Sequence, residues 1–213
     1  MLKTIGLRFR KVDILNFVSG IFLAVLLVLL VYMIVKQNMI IENNNFLTLL
    51  IDSKNKLIYY FIVALLEELI FRGLFLGLVL KKVNNIYVRL IVSALIFAVP
   101  HIANTDNIST IIMFIFPLLY GIVSAEMFVF SKSVWMSTGF HWLWNYSITS
   151  VFMKTGNLDL ISIWIIVEMI ILIPLLYCSF KKIGLDYNNR KRVMNYNLFV
   201  WRKKIWKKGK WFL

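Results

Sequence analysis

The chain has 213 residues, 61% of them hydrophobic and only 16% charged, with a mean hydropathy of +0.80. An ordinary soluble domain is about 45–50% apolar, so this composition excludes one and points to an integral membrane protein. The formal charge of +14 comes from 24 Lys and Arg against 10 Asp and Glu, and the single cysteine, Cys178, excludes an internal disulfide or a multi-cysteine metal site.

A membrane helix needs about 20 predominantly apolar residues. Six stretches qualify, at 14–35, 57–80, 86–102, 108–130, 133–152 and 158–180, the third being the shortest. Continuous apolar runs rather than short alternating segments favour helices over a barrel. The expected fold is therefore all-α: a polytopic membrane helix bundle forming one domain over residues 1–180, followed by a basic, aromatic tail over 181–213.

The first span follows basic residues, as a signal peptide does. Its apolar run outlasts the usual signal core of about 7–15 residues and no small-x-small site follows, so it reads as an uncleaved helix. The connection 36–56 contains the apolar stretch Phe46 to Ile51, which either lies in the membrane interface or starts the second span early.

The second span carries the main anomaly, Glu67, Glu68 and Arg72 in its middle. Each ionisable group at the centre of a membrane helix costs about 2.5–3.5 kcal/mol on insertion scales, and such groups usually face a partner or a water-filled cavity. Glu68 and Arg72 are spaced i, i+4, which suits an ion pair on one helix face. Glu67 is then left without an intrahelical partner. Two adjacent carboxylates resist double ionisation in a low dielectric, and the less well paired one is placed to accept a proton.

Further along, Phe97-x-x-x-His101 ends the third span and His141-x-x-x-Asn145 puts two polar groups on one face of the fifth. These are the only histidines. An imidazole and a carboxylate together hold and deprotonate a water, while a second His and an Asn can donate to a developing oxyanion. Helix rise puts Glu67 and His141 near mid-span but His101 at an outer end, so convergence calls for tilt or a cavity opening outward. In the fourth span, Glu126 lies near the inner end, where it can snorkel or pair with Lys132. Glu168 is deeper in the sixth and could face the same cavity, meeting Arg72. Pro100, Pro117 and Pro174 each remove a backbone donor and favour a kink.

The tail has eleven basic residues against one acid, Asp186, and interleaves Trp201, Ile205, Trp206, Trp211 and Phe212 with Lys and Arg. That pattern suits an interfacial segment on anionic lipid better than nucleic-acid binding, which is not expected. Lys3, Arg8, Arg10, Lys11, Lys81, Lys82, Arg89 and Lys132 fall on the same side as the tail, whereas Lys36, Lys54, Lys56 and Lys154 fall opposite. By the positive-inside rule both termini are expected in the cytoplasm.

The ordered set Glu67-Glu68-x-x-x-Arg72, Phe97-x-x-x-His101 and His141-x-x-x-Asn145, each motif on its own hydrophobic helix, resembles the CAAX protease and bacteriocin-processing (CPBP, or Abi) family. The resemblance covers about residues 57–152. It implies an intramembrane endopeptidase related to the Ras-converting CAAX proteases. Glu67 would be the general base, His101 would help to position water, and Glu68 and Arg72 would organise the site with Phe97. His141 and Asn145 would stabilise the oxyanion.

Members have also been described as metalloendopeptidases. Glu67, His101 and His141 could supply three zinc ligands, although no His-Glu-x-x-His pair is present and a glutamate mechanism requires no cofactor. The expected substrate is a membrane-associated peptide or protein. The Ile-, Asn- and Lys-rich composition suggests a bacterial plasma membrane and a role in bacteriocin processing or self-immunity. The competing reading is a non-enzymatic immunity or peptide-binding protein using the same cavity, and a proton-coupled transporter is a third class.

Overall fold

A computed structural model describes residues 5–35, 46–102 and 110–152, together with Ile171, Cys178 and Lys181. The described residues contain helices and turns and no strand, in keeping with the all-α expectation. The sixth expected span apart from Ile171 and Cys178, including Glu168 and Pro174, and nearly all of the basic tail lie outside the described residues.

Helix α1 spans Lys11–Val35. Asp13 sits in its first turn, where a carboxylate complements the helix dipole, and accepts from the Arg10 backbone N–H at 2.9 Å and from Arg10 Nε and Nη2 at 2.9 and 3.0 Å. One face buries Ala24, Leu27, Val28 and Val31, while Leu15, Phe22, Leu26 and Met33 stand exposed. A helix that is apolar all round, with its outer face unpartnered, fits a hydrocarbon environment rather than water.

The Phe46 to Ile51 stretch forms a helix of its own, α2 (Phe46–Asp52), joined through Ser53 and a 3₁₀ turn at Lys54–Lys56 to the next. The second span is thus not an early start from Phe46. Helix α3 runs Leu57–Glu68 and continues without a break as a π-helical stretch, Leu69–Val79, and a final 3₁₀ turn, Leu80–Lys82. Helix α4 (Ile86–Ile102) begins where the Asn85 side chain accepts from the N–H of Tyr87 at 2.9 Å, a usual asparagine N-cap role. Helix α5 spans Thr110–Ser131. Lys132, in the left-handed region at φ 54°, turns the chain into α6 (Val134–Ser147), whose N-cap is Ser133 and which ends in the π-helical Ile148–Phe152.

Two of the described helical segments, Lys11–Met33 and Phe114–Ser131, are long and apolar enough to cross a membrane, and Ile86–Ile102 is a shorter apolar helix. Close helix contacts fall at glycines. A Cβ on Gly20 would run into the Met136 carbonyl and one on Gly139 into the Phe17 carbonyl, so α1 and α6 lie backbone to backbone. Gly121 likewise lets α5 approach α4, since a Cβ there would sit 3.0 Å from Ala94 Cα. The main core joins α1, α4, α5 and α6 through Val28, Val31, Phe97, Tyr120, Phe140 and Trp144. Cys178 is exposed, and Glu126, expected to reach water or Lys132, is buried at 6% exposure.

Candidate active site

The three motif helices meet around Phe97. Its ring centroid lies 4.8 Å from that of His101 and 6.0 Å from that of His141, and the Arg72 guanidinium carbon lies 4.3 Å from the same ring centre. One aromatic side chain of α4 therefore touches groups from α3, α4 and α6.

Glu68 and Arg72 are fully buried and pair at 3.3 Å (Oε2 to Nε), as their spacing predicts. The ion pair is completed from helices that the spacing does not reveal. Ser124 of α5 donates its hydroxyl to Glu68 Oε2 at 2.6 Å, and Arg72 Nη2 donates to the Gly121 carbonyl at 3.2 Å. Arg72 Nη1 meets no acceptor among the described residues, so the face of Phe97 stands where water would otherwise be. A desolvated cation over an aromatic ring is worth about 2 kcal/mol.

The third partner of Glu68 is His141, whose Nδ1 lies 3.0 Å from Oε1. A carboxylate already held by a guanidinium and a hydroxyl acts only as an acceptor, so Nδ1 carries the proton and donates it. This fixes the ring with Nε2 pointing the other way, to 3.6 Å from Glu67 Oε2. Glu67 differs from its neighbour in every respect. Its side chain is 30% exposed against 0% for Glu68, and its buried Oε2 has no hydrogen-bond partner among the described residues. Adjacent positions on a helix point about 100° apart, which directs one carboxylate into the ion-paired core and the other to the open side.

His101 is tilted against Phe97, and its Nδ1 donates to the Phe97 carbonyl at 2.9 Å, leaving Nε2 uncommitted among the described residues. It makes no ion pair with Glu67; the histidine that faces Glu67 is His141. Asn145 lies one turn beyond His141, half-buried, with its backbone carbonyl accepting from Thr149 Oγ1 at 2.8 Å. Among the described residues no three His, Cys, Asp or Glu side chains gather closely enough to hold a metal. With Nδ1–H on Glu68, His141 Nε2 and Glu67 Oε2, 3.6 Å apart, are placed as two zinc ligands could be, but His101 is not gathered with them into the three-ligand set that such a site needs.

Sequence reasoning passed over three contributors, all on α5: Tyr120, Gly121 and Ser124. The Tyr120 ring packs 4.8 Å from His141, and its buried hydroxyl has no hydrogen-bond partner among the described residues. Their only sequence signal is a run of small and polar residues inside an apolar span, Tyr120-Gly121 and Ser124, on one face ahead of Glu126.

Residues 54–147, which hold every one of these side chains, match the family described as type II CAAX prenyl endopeptidase Rce1-like. Over that segment the chain is similar to the CAAX protease family. The family is one of membrane-embedded proteases, and the apolar exterior of α1 accords with that setting. No curated protein and no solved structure matches the chain.

Proposed function

We propose that this protein is an intramembrane endopeptidase in which Glu67 is the general base that activates water for attack on a peptide bond. The observation that carries the reading is the unequal treatment of two neighbouring carboxylates. Glu68 is consumed by Arg72, Ser124 and His141, whereas Glu67 Oε2 is buried, without a hydrogen bond among the described residues and turned toward the remaining nitrogen of His141.

A water beside Glu67 loses a proton to the carboxylate as its oxygen bonds to the substrate carbonyl carbon, and the carbonyl oxygen takes the negative charge. Collapse of that intermediate breaks the C–N bond, and the proton passes to the leaving amine. With Nδ1–H committed to Glu68, His141 exchanges protons only through Nε2. That nitrogen, 3.6 Å from Glu67, gives the proton a second resting place on its way to the amine. Asn145, one turn further on α6, is the candidate donor to the oxyanion. His101, with Nε2 still uncommitted, is the candidate second acceptor for the water.

The setting we propose is a bundle of six spans in a bacterial plasma membrane, with both termini cytoplasmic and the basic tail on anionic lipid. The substrate class is a membrane-associated peptide, such as a bacteriocin precursor or a self-immunity target. The test compares membrane peptides between a wild-type strain and one carrying Glu67→Ala. An uncleaved precursor that accumulates only in the variant supports the enzyme. Identical peptide profiles, or immunity that persists with Glu67→Ala, would make this a peptide-binding protein instead.

A further inference from the structure

Tyr120 and Ser124 stand one turn apart on α5 and so share a face of the helix. Tyr120 is 3% exposed. Its ring packs against His141 at a centroid distance of 4.8 Å and a tilt of 49°, stacks on Phe140 at 5.9 Å and lies 5.5 Å from Phe97. Helices α4 and α6 therefore hold the ring from two directions. Phe97 and Phe140 fill the adjoining core as plain rings, and a phenylalanine at position 120 would do the same without burying an oxygen. Burying a hydroxyl is costly unless it bonds, so packing accounts for the ring of Tyr120 and not for its oxygen.

Among the described residues that oxygen forms no hydrogen bond of ordinary geometry, yet it approaches the Ser124 hydroxyl closely enough to act on it. Ser124 has a single hydroxyl proton, and it is directed to Glu68 Oε2 at 2.6 Å. Lone pairs are what Ser124 Oγ has left, so between the two hydroxyls Tyr120 is the donor and Ser124 the acceptor. Ser124 then donates to Glu68, which also accepts from His141 Nδ1 at 3.0 Å. His141 in turn packs on the Tyr120 ring. Four side chains from α3, α5 and α6 thus close a loop, and Tyr120 meets it at both ends.

We propose that Tyr120 is a positioning residue whose hydroxyl donates to Ser124 Oγ and so locks the Ser124–Glu68–His141 chain that turns His141 Nε2 toward Glu67. The inference rests on the assignment of Glu67 as the base. Without the phenol, Ser124 is free to turn its proton to a carbonyl one turn back on its own helix, the usual alternative for a serine in a helix. Glu68 would then lose one of the three groups that orient it. Hydrogen bonds linked in series polarise one another, so a donor at the start of the chain strengthens the contact at Glu68.

The test is a double-mutant cycle on the full chain in nanodiscs, with Tyr120→Phe, Ser124→Ala and the pair, read by cleavage of the precursor that accumulates in the Glu67→Ala strain. Tyr120→Phe keeps the ring and removes one neutral hydrogen bond, so kcat should fall about 2- to 10-fold at unchanged KM. In the Ser124→Ala background the same change should have no effect, because the acceptor is gone, whereas in Ser124→Thr it should keep its full effect. A second readout needs no cleavage. The His141 Nδ1–H proton signal should shift on Tyr120→Phe in the wild-type background and stay in place in the Ser124→Ala background. A tyrosine that only packs would leave the signal unmoved in both, since the ring is retained. An unchanged rate or an unmoved signal in Tyr120→Phe would overturn the proposal, and so would an equal fold-loss in both backgrounds. If Glu67→Gln cleaves as wild type does, the base assignment fails, and the His141 signal still decides the role of Tyr120.

Discussion

Replacing each of two adjacent glutamates by glutamine separates chemistry from architecture. In Glu68→Gln the fully buried Arg72 loses its only carboxylate partner among the described residues, and breaking a buried pair by removing one member costs about 3–5 kcal/mol. That is a large share of a typical stability of about 5–15 kcal/mol. Glu67 makes no hydrogen bond among the described residues, is 30% exposed and stands 3.6 Å from one histidine nitrogen. Its replacement should therefore cost no more than about 1 kcal/mol, the scale of a partly exposed pair. Activity should divide the other way: removing a general base costs about 10²–10⁴ in rate, so Glu67→Gln should be stable and nearly inactive. Thermal unfolding of the detergent-solubilised proteins, beside cleavage of the precursor found in the strain comparison, reads both quantities. A stable, active Glu67→Gln protein, or one that unfolds as readily as Glu68→Gln, would refute the division.

The remaining expectations concern the supports of that pair. Ser124→Ala removes a hydrogen bond to a charged acceptor, worth about 1.5–3 kcal/mol. Spent on orienting Glu68 and His141, that is about 10- to 100-fold in turnover. Ser124→Thr, which keeps the hydroxyl, should recover most of it, and an unchanged rate in Ser124→Ala would remove serine from the account. Nitrogen-15 spectra of the two histidines, assigned with His101→Gln, should show His141 protonated at Nδ1 at neutral pH, and an Nε2–H tautomer would contradict the Glu68 bond. Gly139→Val drives a side chain into the Phe17 carbonyl and should destabilise by about 1–3 kcal/mol or more, whereas a wild-type melting temperature would deny the close α1–α6 contact. Ser93→Ala deletes a neutral hydrogen bond of about 0.5–1.5 kcal/mol to the Phe71 carbonyl and should lower cleavage more than stability. Equal losses in both would make Ser93 a packing residue only.

The positions of the helices among the described residues and the Glu68–Arg72 pair were legible in the sequence because both follow from local rules: apolar run length in one case, i, i+4 spacing in the other. The order of the three motifs also pointed to the family, which the match over residues 54–147 supplies independently. What could not be read was which histidine faces which carboxylate. That depends on the rotation of α6 against α3, set by contacts such as Trp142 Nε1 to the Leu57 carbonyl, 85 residues apart. Ser124 escaped for a related reason. A serine in an apolar span has no sequence partner until the fold supplies Glu68, 56 residues away. The separation of α2 from α3 was also out of reach, since Phe46 to Asp52 is apolar enough for either reading.

The π-helical stretch that begins directly after Glu68 links these observations. Runs of i, i+5 bonding are rare and, where they occur, often mark functional sites, since their poorer geometry has to be offset by tertiary contacts. Here the offsets are visible. Ser93 donates to the Phe71 carbonyl and Arg89 Nη2 to the Leu76 carbonyl, each at 3.2 Å, so two polar groups of α4 bond to backbone of the widened helix. Gly73, within that stretch, allows it to lie against the Ile5 carbonyl, 3.0 Å from where a Cβ would stand. The helix that carries both glutamates is thus α-helical up to Glu68, and regular geometry holds Glu67 and Glu68 on different faces. Beyond Glu68 it is deformed, and there Arg72 has to reach Glu68, Phe97 and the Gly121 carbonyl at once. The distortion and the buried charge support one another: each is costly alone, and together they fix a guanidinium that orients Glu68, which orients His141, which faces Glu67, the carboxylate proposed as the base.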